Sequence, residues 1–221
     1  SRRQRQMCIR DRKVPVNQVF IGSCTNGSYS DFKKAAAVLK GHQVAESVSL
    51  VCGISSRQIY LKLMEDGVIG DLLNAGARVL ELACGPCCGI GCAPNSKGVS
   101  VRTSNRNFKG RSSTPDASLY LVSPETAAAT AIKGVFATAD EAMDDVSVLA
   151  SIKEPDAYPV NDSLFLQPAP EGNDVTIVRG PNIKPLPVAD PPEDTLTARV
   201  SLKARDNVST DDITPASAEF S

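Results

Sequence analysis

The sequence predicts an α/β domain, a three-layer α/β/α arrangement around a mostly parallel sheet. Three observations carry this. Between residues 17 and 134, short apolar runs of strand length alternate with stretches whose apolar positions recur at helical spacing. Glycine, serine and proline stand where such elements start and stop. The loops that follow the apolar runs hold the reactive side chains, and ligand sites of open parallel sheets lie beyond the carboxyl ends of the strands.

The elements follow in order. Residues 18–21 (QVFI) read as a buried strand that ends in the loop GSCTNGS. Residues 30–40 place apolar or alanine positions at helical spacing and stop at Gly41. Residues 48–52 (VSLVC) are a second strand, and Ser55 or Ser56 can cap a helix running to about Asp66. A short helix near 69–75 closes at Gly76. Residues 78–83 (RVLELA) are a third strand that leads directly into CGPCCGIGC, and residues 119–122 are a fourth. Ser123 as N-cap and Pro124 at the first helical position open a helix over 125–133, which Gly134 ends. The alternation implies helices on both faces of the sheet.

This domain is expected to occupy residues 17–150. Residues 151–194 are rich in proline and read as an extended linker, with one strand at 174–179. In 195–203 (TLTARVSLK), Leu196, Ala198, Val200 and Leu202 alternate with polar residues, the pattern of a half-buried strand. It opens a further unit, 195–221, that is cut short. Residues 1–16 are expected to be a basic leader, disordered or non-native. The first twelve residues hold five arginines and one aspartate without apolar periodicity.

Composition narrows the function. Twenty-four Lys and Arg against 25 Asp and Glu leave a formal charge of −1, which argues against nucleic acid as a partner. No run of about 18 apolar residues offers a membrane span, and the leader lacks the apolar core of a secretory signal, so a cytoplasmic location is expected. The 42% hydrophobic and 22% charged content, over 221 residues, suits a globular core that needs no disulfide framework. One histidine excludes a histidine-rich zinc site, and seven cysteines without export point to metal or redox chemistry.

Cys84-Gly-Pro-Cys87 puts two thiols on one tight loop, and three chemistries use such a pair. A thioredoxin-like centre has this tetrapeptide but needs its second cysteine in an amphipathic helix. The following CGIGCAPNSKG, with three glycines and a proline, does not provide one. A structural zinc site could draw on Cys84, Cys87, Cys88 and Cys92, although two separated pairs are the usual arrangement. An iron–sulfur cubane takes a CxxC pair plus a distant cysteine. Cys24, in a glycine-rich loop after a strand, is that candidate, whereas Cys52 continues an apolar strand and reads as a buried thiol. Three ligands for four irons leave one iron open to act as a Lewis acid. Further on, TSNRNFKGR sets Arg106 and Arg111 around a turn rich in amides (Asn105, Asn107). Two guanidinium forks on one loop suit carboxylates, and the bland alternative is two solvated surface arginines.

GSCTNGSYSD, then ACGPCCGIG some sixty residues on, SNRNFKGR, and LVSPETAAATAIKG together resemble the aconitase family of iron–sulfur hydro-lyases. That family comprises aconitate hydratase, homoaconitase and the large subunit of 3-isopropylmalate dehydratase. The resemblance runs from Asn17 to the C-terminus. GPNIKPLP resembles the linker of single-chain aconitases, and LKARDNVSTDDITPAS the start of the mobile swivel domain. It implies a 4Fe–4S cluster ligated by Cys24, Cys84 and Cys87. It also implies a substrate site lined by Asn105, Arg106 and Arg111, with Thr210 and Asp211 in the swivel domain's active-site loop. The implied reaction is reversible dehydration of a hydroxy tricarboxylate, as from citrate to isocitrate through cis-aconitate in the tricarboxylic acid cycle. Homoaconitase and 3-isopropylmalate dehydratase are the alternatives. A non-catalytic iron-sensing or cluster-binding module is a rival of another class. The general base, a swivel-domain serine, and the N-terminal catalytic residues of the family match nothing in this chain. The N-terminal and swivel domains are therefore expected partners, and the chain alone is expected to be inactive. His42 matches no catalytic position. Cys88 stands where the family has an aliphatic residue and Cys92 is an additional thiol, so either could compete as a ligand.

Overall fold

The computed structural model describes residues 13–106, 108–163, 165–168 and 176–213. The chain divides into a unit reaching to Val160 and a second unit, Asn161–Ile213.

The first unit is built on five strands: β1 (Gln18–Gly22), β2 (Ser49–Gly53), β3 (Arg78–Val79), β4 (Val99–Arg102) and β5 (Ser118–Leu121). All pair in parallel, in the order β3-β2-β1-β4-β5. β1 is central and buried along its whole length, as expected of an inner parallel strand covered on both faces. The register sets Phe20 beside Val51 on one side and Arg102 on the other, so these three share a face. β4 was not expected from the sequence. It raises the sheet from four strands to five, and the expected mostly parallel sheet is wholly parallel. The run 78–83 supplies only two strand residues, because after Leu80 donates to the Cys52 carbonyl the chain leaves the sheet for the cysteine turn.

The helices begin and end where local chemistry satisfies their free backbone groups. α1 (Tyr29–Leu39) opens with a capping box in which Ser28 Oγ accepts from the Asp31 amide and Asp31 accepts from the Ser28 amide. Ser56 caps α2 (Arg57–Glu65) at the Ile59 amide, and α3 (Val68–Asn74) follows the left-handed Gly67. Ser123 caps α4 (Pro124–Lys133), whose first residue is proline, and Gly134 ends it at φ +70°. A short α5 (Val148–Ser151) precedes the segment in which Glu154 accepts from the Ser30 amide and Tyr158 meets Tyr29 edge-on.

The two faces of the sheet are closed differently. Val19, Ile21, Leu50, Cys52 and Val101 join one apolar core with residues of α1, α2, α3 and α4. Buried alanines on α1 (Ala35, Ala36) and α4 (Ala127, Ala128, Ala131) let these two helices approach closely. On the opposite face lies a smaller cluster of Phe20, Val51, Cys87 and Cys92, with Leu80 against it. The α/β class and its layers are as expected, but the outer layer on this face is the 3-10 turn Gly85–Cys88 and its loop. A loop can close this face because Gln18, Ser100 and Arg102 offer it polar partners.

In the second unit, α6 (Thr210–Ile213) is the one helix among the described residues, and no strand occurs there. The strand expected at 195–203 has no pairing partner among the described residues, and Leu196, Val200 and Leu202 are 76%, 81% and 80% exposed. Without a neighbouring strand, its ladder groups and apolar side have nothing to join. The strand expected at 174–179 falls partly outside the described residues, and 176–179 form none. The first twelve residues of the expected leader also lie outside them. No helix among the described residues is long and apolar enough to cross a membrane.

Candidate functional site

Strand order reverses at β1: the chain moves outward to β2 and β3, then returns to the other side for β4 and β5. At such a switch point the loops leaving adjacent strands diverge and open a crevice. Here those loops are 23–28 after β1 and 103–111 after β4. Gly22 makes the turn possible, since it sits at φ +115° and a Cβ there would lie 2.0 Å from the Gly53 carbonyl oxygen. Buried Thr103 joins the two loops: its Oγ1 accepts from the Gly22 amide at 2.8 Å and donates to the Gly22 carbonyl at 3.2 Å. The Asn26 side-chain amide donates to the Thr103 carbonyl, and Ser23 Oγ accepts from the Asn26 amide at 3.2 Å. This framework leaves Cys24 exposed at the loop's tip.

Cys84 precedes the 3-10 turn Gly85–Cys88, in which proline at the second position stiffens the backbone. Gly89 then takes φ +92°, and a Cβ on it would fall 2.4 Å from the Ser112 carbonyl oxygen. The cysteine loop and the arginine loop are thus in direct contact. Ser113 Oγ donates to the Cys88 carbonyl, and Thr114 Oγ1 to the Pro94 carbonyl at 2.7 Å.

Cys24, Cys84 and Cys87 line one cavity of about 140 Å³, with Phe20, Ser23, Gly53, Ile54, Ser55, Leu82 and Ala83. Cys84 is exposed and Cys87 is buried. Burial first, and then the nearby Cys84, Cys24 and Cys88 thiols, push the Cys87 thiol up to about 11, against an opposing pull from Arg111. Among the described residues, no three His, Cys, Asp or Glu side chains converge enough to hold a single metal ion. A cubane makes a different demand, because each cysteine meets its own iron at a separate corner. Three thiols around one small cavity of mixed polar and apolar lining fit that group by donor chemistry. Cys92 belongs to another place: it lines a cavity of about 410 Å³ with Asn17, Ser49, Arg78 and Asn95, at the amino end of the strands. That cavity is larger, but none of the other thiols lines it. Cys88 is half-buried and lines neither cavity. Cys52 points into the helix-side core, where burial raises its thiol to about 12.

The two arginines that the sequence treats alike differ in setting. Asn105 and Arg106 are exposed on the loop, whereas Arg111 is 5% exposed and its guanidinium lies 5.7 Å from the Phe108 ring centroid. Asn107 lies outside the described residues. Thr210 and Asp211 are in α6 of the second unit, and Thr210 is exposed.

Sequence reasoning missed a buried polar group beneath the cysteine turn. Arg102, 2% exposed, donates through Nε to Ser100 Oγ (2.9 Å) and through Nη1 to the Pro86 carbonyl (3.2 Å). Its Nη2 donates to Gln18 Oε1 (2.9 Å) and to the Cys92 carbonyl (2.7 Å). The alternation in VSVR, with Val99 and Val101 toward the helices and Ser100 and Arg102 toward the turn, was the available signal.

Comparison with known proteins adds an independent line. The sequence model of the aconitase family (aconitate hydratase) matches residues 3–134. The chain is 49% identical over 123 residues to 3-isopropylmalate dehydratase large subunit 2 of Archaeoglobus fulgidus, an alignment covering 55% of this chain and 30% of that protein. It is 43% identical over 127 residues to 3-isopropylmalate dehydratase large subunit 1 of Thermotoga maritima, covering 57% and 30%. It is 46% identical over 127 residues to the homoaconitase large subunit of Thermus thermophilus, again covering 57% and 30%. The chain thus spans about 30% of the length of these relatives. With the family's sequence pattern matched over more than half of its residues, the chain belongs to the aconitase family.

Proposed function

We propose that this protein is the cluster-bearing part of a hydro-lyase that reversibly dehydrates a hydroxy-polycarboxylate, with 3-isopropylmalate or homocitrate favoured over citrate. The observation that carries this reading is the placement of Cys24, Cys84 and Cys87 around one cavity, with Arg111 near enough to act on Cys87. The preference among substrates rests on the relatives, which are named for 3-isopropylmalate dehydratase and homoaconitase. Citrate, the substrate first expected from the sequence, is the second reading. It is favoured by the linker GPNIKPLP and by the tail LKARDNVSTDDITPAS within the same chain.

In this reading Cys24, Cys84 and Cys87 hold a 4Fe–4S cluster. The chemistry that such a group supplies when bound is Lewis-acid polarisation of a hydroxyl at an iron no thiolate occupies. The chain's own residues bind and orient. Arg106, reaching from the exposed loop, pairs with an incoming carboxylate, and Asn105 offers an amide donor beside it. Arg111, held over Phe108 and screened from water, fixes a second carboxylate nearer the thiols. Phe20 and Leu82 add apolar surface to a cavity wall that Ser23 and Ser55 make equally polar. Thr210 and Asp211 are assigned to substrate binding by the resemblance of this tail to the family's swivel-domain active-site loop. The remaining partners are the other domains of the enzyme, including a small subunit if the assembly follows the relatives named large subunits. A cytoplasmic location belongs to the same reading.

Anaerobic reconstitution of the protein with iron and sulfide tests it. The expected result is a retained cluster whose electron paramagnetic resonance spectrum changes on adding 3-isopropylmalate or homocitrate. A change with citrate alone would establish the second reading. A retained cluster that responds to none of the three, with turnover also absent in the assembled enzyme, would favour a cluster-binding module without catalysis.

A further inference from the structure

Among the described residues, Arg102 is the one charged residue that the proposed chemistry does not use and the structure nonetheless buries almost completely. A guanidinium out of water is costly unless its donors are satisfied and its charge is met. Its donors are well met, as four hydrogen bonds reach Ser100, Gln18, Pro86 and Cys92. All four acceptors are neutral, and none is a carboxylate. An apolar side chain at this position would pack on Phe20 without that cost, so the structure bears the burial of a charge for some return.

The pattern of acceptors indicates the return. Two of them, Gln18 Oε1 and Ser100 Oγ, stand on the central strands β1 and β4 and bond each other at 2.8 Å. The other two are carbonyls of the cysteine loop. Pro86 contributes the carbonyl of the peptide that leads into Cys87, and the Cys92 carbonyl closes the loop's far end. Gln18 reinforces the second anchor, its side-chain amide lying 3.4 Å from the Cys92 carbonyl and 3.3 Å from that of Ala93. The guanidinium also lies 5.6 Å from the Phe20 ring centroid, which fixes its plane between strand and turn. Only a planar fork reaches two strands and two loop carbonyls at once, and a lysine ammonium does not.

We propose that Arg102 is the positioning residue of the cysteine turn: its fork holds the Pro86–Cys87 peptide and the Cys92 carbonyl against β1 and β4 before any cofactor arrives, and its buried charge complements the anionic thiolate cluster that the turn receives. The first half stands on the hydrogen bonds alone. The second half rests on the cluster reading given above.

The two halves separate in two variants of the full chain, Arg102→Lys, which keeps a charge but not the fork, and Arg102→Met, which keeps neither. In the cofactor-free protein, hydrogen exchange at the Gly89, Ile90 and Cys92 amides should quicken about tenfold or more in both, with amides of α1 and α4 unchanged. Alkylation of buried Cys92 should quicken in parallel. Exchange and alkylation within about twofold of the parent, in a variant that keeps its helices, would overturn the positioning role. In the reconstituted protein, the reduction midpoint of the cluster should fall in Arg102→Met relative to Arg102→Lys, because a lost positive charge disfavours the added electron. Equal midpoints would overturn the charge role. If neither variant folds, Gln18→Leu decides, since it removes an acceptor of Arg102 and the second hold on the loop. Faster loop exchange there supports the clamp, and unchanged exchange refutes it. A parent chain that retains no cluster would count against the proposed function and leave the exchange result standing.

Discussion

The two faces of the sheet use the same strands and obey different rules. On the helix side, Val19, Ile21, Leu50 and Val101 meet aliphatic and alanine side chains, and stability comes from apolar area and close packing. On the turn side the same strands present Gln18, Ser100 and Arg102, and the covering layer is held through directional bonds to its carbonyls. The first arrangement tolerates any side chain of suitable volume. The second requires particular atoms in particular places, and in return it can present thiols that a packed helix would bury. One face carries stability and the other carries chemistry.

The largest expected effect separates the cysteines of the two faces. Cys24→Ser should abolish iron retention after reconstitution and gel filtration, whereas Cys52→Ser, in the helix-side core, should leave the iron content unchanged. Equal loss in both would break the distinction. Next comes Phe32→Ala, which removes a fully buried ring from the helix side and should cost about 3–5 kcal/mol in urea unfolding. A much smaller loss would mean that this face repacks. Gly89→Ala should cost about 1–2 kcal/mol, from its φ of +92° and its contact with the Ser112 carbonyl. Hydrogen exchange should place that loosening in the cysteine and arginine loops, with the helices untouched.

The smallest effect concerns the polar rim of the helix side, where Asp66 accepts from the Tyr29 hydroxyl and, at 3.2 Å, from Lys62. The Tyr29 bond above all, then Lys62 and Lys33, holds the Asp66 carboxyl below its ordinary value of 3.8. A depressed folded-state value adds stability that is present above 3.8 and lost as pH falls through the lower folded value. Asp66→Asn should therefore lower stability by about 1 kcal/mol at pH 7, and thermal melts of parent and variant should converge in acid.

What the sequence revealed was what is local. Ser56 and Ser123 were legible as caps because an N-cap bonds an amide three residues on, and Gly134 was legible as a stop because it takes a left-handed turn. The central strands were legible as apolar runs. β4 was not, because half its residues face a polar clamp and the run looks too hydrophilic for an inner strand. Which face each helix takes depends on how the chain crosses the sheet, and no single segment records that. At the site, motif spacing singled out the cysteines and arginines together. It could not distinguish Arg106 from Arg111, because the burial of Arg111 is imposed by the folded loops around it. Nor does motif spacing show that Cys87 and Cys92, five residues apart, line different cavities, because that follows from how the loop folds back on the strands.

The pairing of β1 with β4 has a consequence in time as well as in space. Gln18 and Ser100, which bond each other across this pair, are 82 residues apart, and Gly22 and Thr103 are 81 apart. Contacts of such separation are entropically costly to close and are made late in folding. Cys24 leaves the ribosome long before β4 exists to seat the turn that carries Cys87. The thiols therefore stay apart until β4 has been made, and their convergence waits on closure of that long loop. Maturation of the site is tied by topology to completion of the sheet, so a half-made chain offers stray iron scattered cysteines and no finished cradle.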